Sequence, residues 1–296
     1  MAKGISIHVG VNVPPADLAL QPLGGCVNDA TAMKDLAMAR GFTGLDGGEP
    51  LLMADADATH DDVLAKLKEA AQLLDAGDIF LFTFAGHGTH PPGSLFESTG
   101  DGRDETLVMS DKFLVDNVLR SDVWPKFKPG VRVVMVADSC HSGTVATVPP
   151  GNVEGGALSS PPEYHLEAVD GPEGNVPNVS GVRLIPEDKA IAHFAAFSDF
   201  YTQIAMSLAS AENADPIQAS VMLLAACKEF QEARESTING KTHGVYTRAL
   251  LNTWNTNGPR TYEKLLADME PLPSQTPVLM MVENTPSFAT TEAFKI

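Results

Sequence analysis

Two stretches of the sequence consist almost entirely of apolar and β-branched residues, and each is followed by small residues that include a chemically active side chain. The first runs from Ile79 to Phe84 and is followed by Ala85-Gly86-His87-Gly88. The second runs from Val131 to Ala137 and is followed by Asp138-Ser139-Cys140-His141. A short continuous apolar run is typical of a strand that is buried on both faces, as in a parallel sheet. The chain is therefore expected to fold around a sheet whose strands end in an imidazole and a thiol.

The segments between these runs have the periodicity of amphipathic helices. In the clearest case Thr59 is a suitable N-cap, and apolar side chains recur on one face up to Leu74. Gly41 is a typical left-handed end for an earlier helix. Strands that alternate with helices predict an α/β fold with a mostly parallel sheet and helices on both faces. The predicted elements of this half are a strand over residues 5–13 and helices over residues 28–40, 59–74 and 115–124.

The pattern breaks between Thr144 and Val182, in a segment that is rich in Gly, Pro, Asn and Ser and has few apolar runs. A stretch this long without regular structure is usually a functional loop or a linker. Beyond it the apolar runs resume. We expect strands over residues 190–197, 220–227 and 277–282, and helices over residues 227–236 and 262–269.

Composition limits the partners of the chain. Its 296 residues include 20 basic and 38 acidic ones, for a formal net charge of −18. Phosphate binding needs a basic face, so neither a nucleic acid nor a membrane is expected as a partner. The 3 cysteines form no disulfide framework or zinc motif that can be recognised from their spacing, which favours a reducing compartment. Because the start of the sequence lacks the apolar core of a signal peptide, we expect a cytoplasmic protein.

A thiol and an imidazole at the ends of two strands form a candidate nucleophile pair, because the carboxyl ends of parallel strands share one edge of the sheet. Cys140 would attack a carbonyl carbon, and His87 would help to form the thiolate or protonate the leaving amine. The backbone N–H groups of Gly88 and Cys140 would stabilise the oxyanion. The alternatives are a buried cysteine and a loop histidine without function, His141 as the base, or a zinc site formed by His87, His90, Cys140 and His141.

Several motifs together resemble those of the metacaspases and their bacterial relatives, the orthocaspases. They are His87-Gly88 after a hydrophobic strand, Asp138-Ser139-Cys140-His141-Ser142-Gly143, Gly25-Cys26-Val27-Asn28-Asp29-Ala30, and the segments 101–105, 223–227 and 243–247. The resemblance covers nearly the whole chain. It implies a caspase-like fold with a six-stranded, mostly parallel sheet, in a single catalytic domain over residues 1–296. Residues 1–143 resemble the large-subunit part, 144–189 the Gly/Pro-rich connecting loop and 190–296 the small-subunit part.

The resemblance implies a cysteine endopeptidase with a cysteine–histidine dyad that cleaves peptide bonds after Arg or Lys. In the family, the residues at the positions of Asp29, Asp138 and Cys26 line the S1 pocket. A basic P1 side chain needs a carboxylate in that pocket, and Asp138 shares a strand face with Cys140. Ala85 stands where the family often has Ser, which removes one hydroxyl and leaves the acidic character. The alternative is a catalytically silent homologue that acts as a signalling or interaction module.

Further properties are implied by the resemblance alone. Metacaspases often need Ca²⁺, and Asp101 and Asp116 stand at plausible ligand positions, but Asn117 replaces an expected carboxylate. Losing a carboxylate weakens Ca²⁺ binding, so Ca²⁺ is left open and no absolute requirement is expected. Some members cleave themselves in the connecting loop, where Arg183 and Lys189 are the candidate sites, whereas otherwise the loop is an uncut flap. No cofactor is required for the chemistry, and we expect a monomer.

Overall fold

The computed structural model describes residues 2–91, 105–140, 178–210, 216–228, 231–281 and 287–296. The strands in these ranges are β1 (Gly4–Gly10), β2 (Leu51–Ala54), β3 (Ile79–Ala85), β4 (Gly88–Thr89), β5 (Thr106–Val108), β6 (Phe113–Val115), β7 (Arg132–Asp138), β8 (Asn178–Val182), β9 (Ser220–Ala225), β10 (Arg234–Ile238), β11 (Lys241–Gly244) and β12 (Val278–Met281). The helices are α1 (Cys26–Ala39), α2 (His60–Leu73), α3 (Asp116–Val118), α4 (Glu187–Ala196), α5 (Ser198–Ser210), α6 (Val245–Asn257) and α7 (Tyr262–Ala267). None of the described helices has the length and apolar character needed to span a lipid bilayer.

The centre of the fold is a six-stranded sheet in the order β12-β9-β7-β3-β1-β2. Its strands are parallel except for β12, which pairs antiparallel with β9 at one edge. Two three-stranded sheets, β11-β10-β8 and β4-β5-β6, accompany it. The six-stranded, mostly parallel sheet that the motifs implied is therefore confirmed.

Both faces of this sheet are covered, because successive side chains of a strand point to opposite sides. Phe80, Phe82 and Phe84 of β3 belong to an apolar core that includes residues of α2, α4 and α5. Ile79 and Leu81 of the same strand belong to a second core that includes residues of α1, α6 and α7. The predicted α/β architecture with helices on both faces of the sheet is confirmed.

Two of the predictions for the second half of the chain are wrong. Residues 190–197 form no strand and belong largely to helix α4, in which Ala190 and Phe194 are buried whereas Ile191 is exposed. A short apolar run does not reveal by itself whether its period is that of a strand or of a helix. The helix predicted over residues 227–236 is likewise not found in the described part of that segment, where β10 begins.

The end of the segment that was expected to be a loop forms regular structure. Residues 141–177 lie outside the described part of the chain, and with them most of the connecting loop predicted over 144–189. The last residues of that loop form β8 and the start of α4, and β8 pairs antiparallel with β10. Strand β8 has little apolar character. Its extended structure depends on ladder hydrogen bonds to β10, which leave no periodic signal in the sequence.

Helix α1 begins at Cys26 and is held there by a side chain that follows the first strand. Asn12 Oδ1 accepts hydrogen bonds from the N–H groups of Cys26 at 2.9 Å and Val27 at 3.4 Å. These are among the N–H groups that a helix leaves without an internal partner in its first turn. Asn12 therefore caps, from a distant part of the chain, the helix that carries Cys26 and Asp29.

Replacing Asn12 by Ala removes this acceptor and should lower the free energy of unfolding by about 1–2 kcal/mol, as the loss of other helix caps does. Urea denaturation followed by circular dichroism measures the change. Asn255→Ala, at an exposed position of α6, is the matched control and should show no such loss. An equal effect of both substitutions would contradict the capping role of Asn12.

Candidate active site

His87 and Cys140 lie at the same edge of the central sheet. Strands β3 and β7 are adjacent and parallel, and Ala85 at the end of β3 is paired with Asp138 at the end of β7. Each of the two reactive residues follows its strand by the same distance along the chain, so the register brings them to matching positions. Both are buried, with 5% and 1% of their surface exposed. The register thus places both residues at one edge of the sheet, where the Cys140 thiol accepts a hydrogen bond from the N–H of Ala233 at 3.1 Å.

Gly88 lies against the backbone of Cys140, where no side chain fits. A Cβ atom at position 88 would be 2.1 Å from the carbonyl oxygen of Cys140. The N–H of Gly88 donates to the carbonyl oxygen of Arg183 at 2.9 Å, and the N–H of Cys140 donates to the same oxygen at 3.4 Å. Two N–H groups directed at one carbonyl oxygen are the arrangement of an oxyanion hole. The peptide carbonyl of Arg183 occupies the place expected for a substrate carbonyl.

The side chain of Arg183 is completely buried among three carboxylates, which we call the acidic pocket. Its Nη2 lies 2.5 Å from Asp29 Oδ2 and 3.1 Å from Glu235 Oε1, and its Nη1 lies 3.0 Å from Asp138 Oδ1. Nη1 also donates to the backbone carbonyl of Asp138 at 2.8 Å. Burial alone would lower the pKa of Arg183, but these carboxylates, Asp138 foremost, raise it well above its ordinary value. The acidic pocket therefore holds a permanent cation.

The beginning of helix α6 holds two of the carboxylates in position. Asp29 Oδ2 accepts a hydrogen bond from the N–H of Gly244 at 2.8 Å, and its Oδ1 lies 2.8 Å from Nδ1 of His243. Asp138 Oδ2 accepts hydrogen bonds from the N–H and the hydroxyl of Thr247, at 2.9 Å and 2.6 Å. Unpaired N–H groups at a helix start favour negative charge. They orient both carboxylates towards the guanidinium.

Glu235 is the member of the acidic pocket that the sequence analysis missed. It lies on β10 and accepts hydrogen bonds from the N–H groups of Gly24 and Gly25 at 2.9 Å and 2.8 Å. The thiol of Cys26 lies 3.6 Å from its Oε1, and burial raises the pKa of that thiol, so Cys26 is an uncharged neighbour of the pocket. Glu235 belongs to the segment that was wrongly predicted to be helical, and no motif pointed to it.

The segment that ends in Arg183 enters the acidic pocket as a strand. The register between β8 and β10 shifts between Arg234 and Glu235, so Gly181 bulges out of the ladder. Its φ of +68° is left-handed, as in bulges that require glycine. A Cβ atom there would meet Glu235 Oε2 at 3.2 Å. The N–H of Arg183 donates to the carbonyl of Ala233 at 2.9 Å, which extends the pairing up to the pocket.

The two candidate self-cleavage positions lie in different settings. Arg183 has its carbonyl oxygen between two N–H groups and its side chain in the acidic pocket. Lys189 is half-buried within helix α4. A peptide group within a helix has its backbone atoms engaged in the helix and is not extended for attack. The structure therefore brings Arg183, and not Lys189, to the edge that carries Cys140.

Burial keeps both reactive side chains uncharged. It raises the pKa of the Cys140 thiol above its ordinary value, and the neighbouring thiol of Cys227 adds to the effect. It lowers the pKa of His87 to about 4, with the positive charge of Arg183 as a second cause. Within the described part of the chain, neither ring nitrogen of His87 has a hydrogen-bond partner. The imidazole is therefore neutral, and its lowered pKa makes it a weaker proton acceptor than an exposed histidine while Arg183 lies nearby.

The candidate metal residues do not form a site in the described ranges. Asp101 lies outside them, as does His141 of the zinc alternative. Asp116 is buried, and its Oδ1 accepts hydrogen bonds from the N–H groups of Glu105 at 3.3 Å and Asn117 at 2.8 Å. Among the residues that the structure describes, no group of three or more His, Cys, Asp or Glu side chains is arranged to hold a metal ion.

Comparison with known proteins identifies the family to which the chain belongs. Residues 9–281 match the family model described as Peptidase C14, caspase domain. The chain is also similar to the crystal structure of a protein from Geobacter sulfurreducens, with a TM-score of 0.72 and 25% sequence identity. That similarity covers 99% of this chain and 98% of the other.

Metacaspases are among the similar curated proteins. Metacaspase-4 of Arabidopsis thaliana is 29% identical over 141 residues, which are 47% of this chain and 33% of that protein. Metacaspase-1 of Schizosaccharomyces pombe is 23% identical over 274 residues, which are 89% of this chain and 63% of that protein. The chain thus spans less than two thirds of the length of either relative. Because the family model matches most of the sequence, the resemblance seen in the motifs is confirmed, and the chain belongs to the caspase-domain family, Peptidase C14.

Proposed function

We propose that this chain is a cysteine endopeptidase that cleaves peptide bonds after Arg or Lys, with Cys140 as the nucleophile and His87 as its proton-transfer partner. The position of Arg183 carries the proposal. Its carbonyl oxygen lies between the N–H groups of Gly88 and Cys140, and its guanidinium lies in the acidic pocket. One basic residue is thus bound by its backbone and by its side chain, as the P1 residue of a substrate would be.

The reaction starts from a neutral thiol and a neutral imidazole. Cys140 Sγ forms a bond to the carbonyl carbon of the P1 residue while the thiol proton passes to His87. Negative charge develops on the oxygen that faces the N–H groups of Gly88 and Cys140. His87 then protonates the leaving amine as the C–N bond breaks, which leaves a thioester. Water attacks the thioester, releases the P1 carboxylate and restores the thiol.

The acidic pocket is proposed to be the S1 site. The two terminal nitrogens of a guanidinium can contact several carboxylates at once, whereas a lysine has a single ammonium, so Arg should be preferred to Lys at P1. Burial raises the pKa of Asp138, while the charge of Arg183 opposes the shift and that of Asp29 adds to it. As the pH falls, Asp138 therefore becomes protonated at a higher pH than an exposed aspartate does. The pocket then loses negative charge and, with it, affinity for a cation.

The same arrangement supports self-cleavage at the bond between Arg183 and Leu184. The carbonyl carbon of Arg183 belongs to the peptide group whose oxygen faces the N–H groups of Gly88 and Cys140. The side chain of Arg183 makes the contacts proposed for a P1 residue. In this proposal the chain is its own first substrate, and Lys189 is not used.

The alternative from the sequence analysis is a catalytically silent homologue. A silent homologue needs neither a histidine and a cysteine at matching positions after adjacent strands nor a pair of N–H groups directed at a peptide carbonyl. The proposal includes a monomer. It also includes a reducing, cytoplasmic environment, because a nucleophilic thiol has to stay reduced. It includes no absolute requirement for Ca²⁺.

The wild-type protein should hydrolyse fluorogenic peptides fastest with Arg at P1, more slowly with Lys and not with Asp. Cys140→Ala should abolish turnover because the nucleophile is lost. The assay is run in Ca²⁺ and in chelator, and activity should persist in chelator. Cleavage after Asp would refute the S1 assignment, and no turnover of any peptide would favour the silent homologue.

Glu235→Gln removes one of the three carboxylates from the acidic pocket and should lower kcat/KM for Arg peptides by at least about tenfold, as expected for a charged hydrogen bond worth roughly 1.5–3 kcal/mol. Glu69→Gln is the matched control, because Glu69 is exposed on α2 and pairs with Lys66. The control should retain the wild-type rate. Equal kinetics for the two glutamine variants would exclude Glu235 from S1.

Incubation of the purified protein should produce two fragments that mass spectrometry assigns to a cut between Arg183 and Leu184. Arg183→Gln should prevent this cut because the acidic pocket then lacks its cation, whereas Lys189→Gln should leave it unchanged. Cys140→Ala should remain intact. A protein that is active on peptides but cuts itself after Lys189, or nowhere, would show that the position of Arg183 does not lead to self-cleavage.

A further inference from the structure

The proposed cut at Arg183 would break none of the contacts that hold this residue. Its guanidinium contacts the acidic pocket, its carbonyl oxygen accepts from Gly88 and Cys140, and its N–H donates to Ala233. The residues after the bond have contacts of their own, among them the N–H of Ile185, which donates to the carbonyl of Gly88 at 3.1 Å. Cleavage alone therefore removes none of the interactions that hold Arg183 in place.

Hydrolysis makes the contacts of Arg183 stronger. Water supplies a hydroxyl to the carbonyl carbon of Arg183 and a proton to the nitrogen of Leu184, so the new end of the chain is a carboxylate. N–H groups bind a carboxylate oxygen more strongly than a neutral carbonyl oxygen. Because burial keeps the Cys140 thiol protonated, no thiolate opposes the new negative charge.

The strand before Arg183 adds further contacts and a covalent link. Asn178 is paired with Thr237 and Val182 with Arg234, at the two ends of the ladder between β8 and β10. Residues 141–177 join this strand to Cys140, so the new terminus stays on the same polypeptide as the nucleophile. A ligand tethered in this way rebinds at an effective concentration on the order of millimolar when its linker allows.

We propose that the acidic pocket and the two N–H groups together bind peptides that end in a free C-terminal arginine. The first such ligand is Arg183 of the chain itself, which stays in place after self-cleavage and inhibits the enzyme as a tethered product. Strand β8 has to leave before another substrate enters. This inference rests on the proposed function, because a chain end at Arg183 arises only from the proposed cut.

The first test uses protein that has been cleaved after Arg183 and a carboxypeptidase that removes only C-terminal basic residues. Mass spectrometry follows the removal of Arg183. Its loss should raise the rate on fluorogenic Arg peptides about tenfold, the effect expected of a tethered ligand at roughly millimolar effective concentration that binds with a Kd of about 0.1 mM. The same protein with inactivated carboxypeptidase is the control. An unchanged rate after complete removal of Arg183 would overturn the inference.

A second test measures binding without catalysis. The double variant Cys140→Ala, Arg183→Gln neither cleaves nor fills the acidic pocket with its own arginine. A labelled peptide with the sequence of residues 178–183 and a free carboxylate should bind to it, as measured by fluorescence anisotropy. The C-terminal amide should bind about tenfold more weakly, because a charged hydrogen bond is lost. A peptide ending in Gln should bind more weakly still.

Equal affinity of the acid and the amide would overturn the inference. Circular dichroism verifies the fold of the double variant, and Arg183→Ala replaces Arg183→Gln if that variant does not fold. The two tests also separate this inference from the proposed function. If the double variant binds the acid peptide but the wild-type protein hydrolyses no peptide, the proposed peptidase activity is refuted and the binding site for a C-terminal arginine is retained. If the wild-type protein hydrolyses peptides but neither the removal of Arg183 nor the free carboxylate of the peptide has an effect, only the proposed peptidase activity is retained.

Discussion

One buried guanidinium connects the segments that make up the site. Arg183 contacts carboxylates from α1, from the end of β7 and from β10, and its partner Asp29 is 154 residues away along the chain. Taking charges out of water costs several kcal/mol per ion, so such a cluster is stable only when the guanidinium and the surrounding hydrogen-bond donors compensate the carboxylates. When Arg183 leaves, another arginine, or water and protons, has to take its place among the carboxylates.

The carboxylates are oriented by groups that do not depend on Arg183. Backbone N–H groups of Gly244 and Thr247 bind Asp29 and Asp138, and these two donors lie directly before α6 and in its first turn. Backbone donors cannot rotate away as side chains do, so the pocket keeps its direction when its occupant changes. Preorganised donors and charges of this kind make a site selective, either for a charged group that is bound in it or for a charge that develops during a reaction. In the proposed function, substrate recognition and bond cleavage therefore depend on the same edge of one sheet.

Local patterns in the sequence predicted five of the six strands of the central sheet and the edge that carries His87 and Cys140, because continuous apolar strands are a local property. They did not predict β2, and the number of six strands came from the resemblance to the family. Asp29 and Asp138 were predicted as pocket residues from motifs that resemble those of the family. Glu235 and the docking of Arg183 could not be predicted, because they depend on the pairing of β8 with β10, which are distant in sequence and carry no apolar signal. The prediction for residues 190–197 failed for a different reason, since a short apolar run fits either kind of element.

The bulge at Gly181 distinguishes strand β8, which ends before the proposed cleavage site, from a regular strand. A regular strand laid along β10 has no extra residue between the positions that face Arg234 and Glu235, whereas β8 inserts Gly181 there in a left-handed conformation. A shift of one residue in a strand exchanges the side chains on its two faces. A foreign peptide that binds as a regular strand would thus present the opposite set of side chains upstream of its P1 residue. If the proposed peptidase activity holds, proteins that resemble residues 178–183 in sequence are therefore a poor guide to its substrates.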